Sequence, residues 1–94
     1  SIPKELLMVK ANNGTTPVHV IALHASRHND KLLVLQLPKD LLKIKDNDGQ
    51  TPVHDLAYTG VDEIRKLPKE LLSIKNNDGD TPLDILRLVA NLHI

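Results

Sequence analysis

Asp46-Asn47-Asp48-Gly49-Gln50-Thr51-Pro52-Val53-His54 is one of three versions of a single pattern. Ala11-Asn12-Asn13-Gly14-Thr15-Thr16-Pro17-Val18-His19 comes before it, and Asn76-Asn77-Asp78-Gly79-Asp80-Thr81-Pro82-Leu83-Asp84 comes after. A second pattern travels with the first: Ile2-Pro3-Lys4-Glu5-Leu6-Leu7, Leu37-Pro38-Lys39-Asp40-Leu41-Leu42 and Leu67-Pro68-Lys69-Glu70-Leu71-Leu72. Both recur at offsets of 35 and then 30 residues. Self-similarity at a period of this size marks an array of like units rather than a closed globule. The expected fold class is therefore all-α, a helical repeat solenoid of stacked helix-turn-helix units. Residues 1–94 read as one domain, with units at about 11–45, 46–75 and 76–94 and a partial unit at 1–10.

The middle unit explains why. Residues 46–50 are polar and contain Gly49, which can take a positive φ at little steric cost and so form a tight turn. Thr51 is placed to cap a helix with its hydroxyl. Pro52 then occupies the first helical position, where a missing N–H costs nothing. Val53, Leu56 and Ala57 follow at spacings of three and four, on one helical face. Gly60 stops that helix. Asp62 is expected to cap a second one over residues 63–66, and Pro68 to open a further helical turn through Leu71 and Leu72. Such a unit exposes an apolar stripe that needs a neighbour. Val18, Val53 and Leu83 form one matching row, and Ile21, Leu56 and Leu86 another.

The flanking units differ. Five more residues separate Ala25 from Pro38 than separate Gly60 from Pro68. Residues 26–30 read as a longer turn, with Asp30 capping a fuller helix over residues 31–36. The third unit holds one long apolar helix, from Pro82 to about residue 92.

Composition bounds the function. Aromatic residues make up 1% of the chain, Tyr58 alone, so the core must come from aliphatic side chains. Twelve basic residues balance twelve acidic ones, which leaves no basic footprint for nucleic acid. With no cysteine, disulfides and thiolate metal sites are excluded. No apolar run exceeds four residues, as at residues 32–35, far below a membrane span. A chain that opens at Ser1 inside a repeat pattern reads as a piece of a longer protein.

The pattern Asp-x-x-Gly-x-Thr-Pro-Val-His, with Leu56-Ala57, Gly60 and Glu63-Ile64 after it, resembles the ankyrin repeat. Gly, Thr and Pro hold the same places in all three units, and His in two. The resemblance covers nearly the whole chain. It implies paired antiparallel helices with a protruding turn or β-hairpin, protein binding as the activity, and no catalysis. It also implies that His19 and His54 bond the Thr of their own motif and neighbouring backbone. The departures are the uneven spacing, the Leu-Pro-Lys-Glu-Leu-Leu segment in place of the family's Gly-Ala-Asp-Val-Asn stretch, and Asp84 in place of a third His. The return segments are accordingly β-hairpins or short helical turns.

Other chemistries fare poorly. His19 and His54 should lie roughly 8–10 Å apart, too far to share one zinc at about 2 Å each. His24 and His28 have an i,i+4 spacing but no third ligand. Asp46, Asp48, Asp78 and Asp80 have the density of a calcium loop without its spacing, since Gly49 falls fourth where sixth is required. Neither a nucleophile motif nor a phosphate-cradling glycine loop is present. A leucine-rich repeat has no place for the Thr-Pro helix starts. The expectation is no cofactor and no metal.

Partner contacts are expected where matching rows vary and face a groove. These are Thr15, Gln50 and Asp80; Leu23, Tyr58 and Leu88; His24, Thr59 and Val89; and the turn residues Asn12, Asn13, Asn47, Asp48, Asn77 and Asp78. Tyr58 leads, because binding hot spots favour Tyr; the bland alternative is that it covers a helix edge. The reading is a non-catalytic protein–protein interaction module, monomeric in isolation, that works inside a cell and binds neither nucleic acid nor membrane. The alternative is a structural spacer or capping segment of a larger protein, an enzyme or a pathogen effector.

Overall fold

A computed structural model of the chain describes residues 9–25 and 27–92. Residues 2–7, the first copy of the second pattern, lie outside the described residues, as does His93. The side chain of His28 does so too, and with it the His24/His28 pair.

The described residues are helical: α1 (Pro17–His24), α2 (His28–Val34), α3 (Lys39–Leu42), α4 (Pro52–Tyr58), a 3-10 helix (Asp62–Lys66), α5 (Lys69–Leu72) and α6 (Pro82–Leu92). No strand occurs among them. The return segments are thus short helical turns, α3 and α5, each preceded by an extended proline, Pro38 or Pro68. No described helix is long and apolar enough to cross a membrane.

α1 and α4 begin in the same way. Thr16 and Thr51 are extended N-caps whose hydroxyls accept from the backbone N–H of His19 and His54, with proline opening the helix. α6 keeps this arrangement with a carboxylate: the Asp84 N–H donates to Thr81 Oγ1 at 3.2 Å, and the Thr81 N–H to Asp84 Oδ2 at 3.0 Å. α4 lies between α1 and α6 and packs against both. Residues 52–57 are accordingly all buried. Val18, Val53 and Leu56 are fully buried and Leu86 nearly so, while Leu83 is half-buried and Ile21 exposed. Burying a side chain such as Leu56 contributes roughly 1.5–3 kcal/mol.

The second helices differ with the length of chain available. In the longer first unit the segment forms an α-helix, α2, which packs on α1. In the shorter second unit it tightens into the 3-10 helix, which packs on α4 and α6 and sinks Ile64 completely. Neither Asp30 nor Asp62 is a cap. The N-cap positions are Arg27 and Val61, without side-chain bonds, and both aspartates sit inside the first turn. There they favour the positive end of the helix dipole, which explains why they resemble caps in sequence. The 3-10 helix also begins one residue earlier than expected, and α2 spans His28–Val34 rather than residues 31–36.

The polar turns join one another. The Asn47 N–H donates to Asn13 O at 3.1 Å and the Asn77 N–H to Asp48 O at 3.0 Å. The amide side chains repeat the link: Asn47 Nδ2 donates to Asn12 O at 3.2 Å and Asn77 Nδ2 to Asn47 O at 3.0 Å. Gly14, Gly49 and Gly79 all have φ near +80°. They differ in what a side chain would meet. A Cβ on Gly49 would come within 2.7 Å of the Asn77 backbone nitrogen, while one on Gly79 meets nothing within 4 Å. Gly79→Ala should therefore cost only its backbone strain, about 1–3 kcal/mol. Gly49→Ala adds the separation of two turns, and its melting midpoint should fall clearly below that of Gly79→Ala in a thermal scan.

Candidate functional site

Leu23, Tyr58 and Leu88 occupy matching positions on α1, α4 and α6, and all three face solvent, 41%, 45% and 57% exposed. An exposed row of large apolar side chains on three packed helices is the feature to account for, since isolated exposed residues are ordinary. Tyr58 is also held by its oxygen, which accepts from Gln50 Nε2 at 3.3 Å. Gln50 reaches the next turn as well, its Oε1 accepting from Asn76 Nδ2 at 3.3 Å.

Thr15, Leu23 and His24 come together with His19, Asp46 and Asp55 around a cavity of about 120 Å³ between α1 and α4. The other expected contacts are placed as follows. Asn12, Asn13, Asn47, Asp48 and Asn77 lie exposed along the joined turns. Asp78 is exposed on the last turn, where its N–H donates to Asn76 Oδ1. Thr59 closes the end of α4 by donating its hydroxyl to Leu56 O at 2.9 Å. The Asp80 carbonyl accepts from His54, so the backbone of this residue is committed even though its side chain is half-exposed.

The two histidines are fixed by what they touch. The Thr51 N–H donates to His54 Nδ1 at 3.1 Å, so Nδ1 is unprotonated. Nε2 lies 3.0 Å from the Asp80 carbonyl, which only accepts, so Nε2 carries the hydrogen. His19 repeats this with Thr16 and the Gln50 carbonyl, at 3.1 Å and 2.9 Å. Each imidazole thus ties its own helix start to the following turn, and neither has a nitrogen left over. Burial lowers the pKa of both, opposed in some measure by their hydrogen bonds to backbone. Asp46 is likewise occupied: its Oδ1 accepts from the N–H groups of Asp48 and Gln50, both at 2.9 Å. In the next polar turn Asn76 Oδ1 accepts in the same way from Asp78 and Asp80. Among the described residues no three His, Asp or Glu side chains converge on a position that could hold a metal ion.

Asp55 is the residue that motif reading passed over. It is 6% exposed, and among the described residues no hydrogen bond or ion pair reaches its carboxylate, whose oxygens keep a little contact with solvent. Burial, and then the like charge of Asp46, push its carboxyl up to about 7. A signal was present in the sequence. The matching residues are Val20 and Ile85, so Asp55 interrupts an otherwise apolar row. A wider apolar depression of about 650 Å³ is lined by Val9, Pro17, Val20 and Ile21 among others.

No protein-family model matches this chain, and no curated protein matches it significantly. The functional reading therefore rests on the residues themselves.

Proposed function

We propose that this chain is a section of an ankyrin-like helical repeat array that binds another protein and carries no catalysis of its own. The observation that carries the reading is the exposed row Leu23, Tyr58 and Leu88 on three matching helices. Three features support the ankyrin-like assignment. The Thr-Pro helix starts are built alike in α1 and α4. His19 and His54 each bond their own Thr and the next turn's carbonyl. The turns are joined in a single direction along the chain. A surface of this kind binds through a few anchors in a polar surround, and Tyr is a favoured anchor.

The test compares the chain with its Tyr58→Ala variant, as bait for partner capture and in thermal melting. Tyr58 is nearly half-exposed, so its removal should leave the midpoint within about 2 °C while capture falls at least tenfold, the effect of about 1.4 kcal/mol. Unchanged capture, or a large fall in midpoint, would remove Tyr58 from the binding surface.

A further inference from the structure

The cavity between α1 and α4 holds a carboxylate that the fold does not need. Its matching positions are filled by Val20, which is exposed, and Ile85, which is buried, so on α6 an aliphatic side chain satisfies the packing. Here Asp55 is more than nine-tenths buried, without a hydrogen-bond donor among the described residues, and lines a space of about 120 Å³. Asp46 lines the same space, and no described Lys or Arg does. Two histidines share the lining: His19 cannot compensate, because both its ring nitrogens are already engaged, and His24 makes no hydrogen bond or ion pair with Asp55. Two carboxylates therefore face a cavity whose lining is largely apolar and includes no described Lys or Arg.

Leaving a buried carboxylate unpaired destabilises a fold, and such groups recur where a ligand supplies the missing partner. We propose that this cavity receives the basic side chain, lysine or arginine, of a protein bound along the Leu23–Tyr58–Leu88 row, with Asp55 as its counter-charge. The inference rests on the protein-binding reading above. The geometry agrees in three respects. Leu23 belongs both to the exposed row and to the cavity lining, so the two are continuous. The volume equals that of about four waters, at about 30 Å³ each, which suits an ammonium or guanidinium head with its last methylenes. Thr15 offers a hydroxyl oxygen as a further acceptor, and Leu23 gives the methylenes an apolar wall. The raised carboxyl of Asp55 agrees with a group waiting for a cation, since a bound cation favours its ionised form.

The experiment needs no natural partner. n-Butylammonium chloride is added to the intact chain at pH 8, with sodium chloride at equal ionic strength as reference. The melting midpoint and the ¹³C resonance of the Asp55 carboxyl are then followed. The expected result at 100 mM is a rise in midpoint of about 2–4 °C over the sodium reference. A fall in the Asp55 titration midpoint of at least one pH unit should accompany it. Both responses should vanish in Asp55→Asn, which keeps the side-chain shape, and in Asp55→Val, which copies Val20. Equal responses in the wild type and Asp55→Asn would overturn the proposal. So would an Asp55 resonance unmoved by butylammonium, or a response that sodium reproduces. These outcomes are independent of the Tyr58→Ala capture test, so failure of the cavity and failure of the binding surface are told apart.

Discussion

His54→Ala is expected to lower stability by about 3–5 kcal/mol, the largest loss from any single side chain described above. His54 is fully buried between the start of its own helix and the following turn. Truncation removes the imidazole and orphans the Thr51 N–H and the Asp80 carbonyl together. An orphaned buried polar group costs about 1–3 kcal/mol, and the cavity left behind adds to that. Denaturant unfolding of wild type and variant checks the number. The acid limb of the stability profile gives a second check. Burial lowers the His54 pKa below its ordinary 6.5, so in the folded protein the ring stays neutral where the unfolded chain would protonate it. That stability is complete above pH 6.5 and is lost as pH falls through the folded value. His19 behaves alike. Asp55 titrates in the opposite sense but is common to both proteins, so the stability difference between wild type and His54→Ala should shrink from pH 7 toward pH 5, because only the wild type carries this ring. A difference that did not change with pH would contradict the assignment.

Asp55→Val is expected to stabilise the protein, and to do so more at higher pH. The Asp55 carboxyl is raised from 3.8 to about 7, so the folded state holds this proton more tightly than the unfolded chain does. Stability from that group is complete below about pH 4, falls as pH rises between the two values, and is gone above about pH 7. At about 1.4 kcal/mol per pH unit, the rise corresponds to on the order of 4 kcal/mol at pH 8. Valine at this position supplies a buried aliphatic side chain of the kind Ile85 provides on α6. The variant should gain several degrees in melting midpoint at pH 8 and little at pH 4. A gain that did not depend on pH would mean that packing, not ionisation, is responsible.

The helices opened by Thr-Pro were legible in the sequence because their signals are local. A capping hydroxyl, a proline and a turn glycine each act within four residues. The second helices were less legible because their starts lack a side-chain cap. Arg27 and Val61 carry no recognisable signal, and the nearby aspartates draw the eye one to three residues too far along. Site reading fared similarly. Exposed positions such as Leu23 and Tyr58 follow from helical register. Asp55 was missed because it lies outside the motif that invites comparison, and because its burial depends on α1 and α4 closing over it. Only comparison across the three matching positions, Val, Asp and Ile, would have singled it out.

The joined turns have a consequence for measurement. The amides of Asn47 and Asn77 sit on exposed residues, yet each is bonded to the carbonyl of a preceding turn. Their hydrogen–deuterium exchange therefore reports separation between neighbours, while amides within α4 report melting of the helix itself. If neighbours separate before the helices fray, these two asparagines will exchange first and together, and the chain will behave as a zipper that opens by whole teeth.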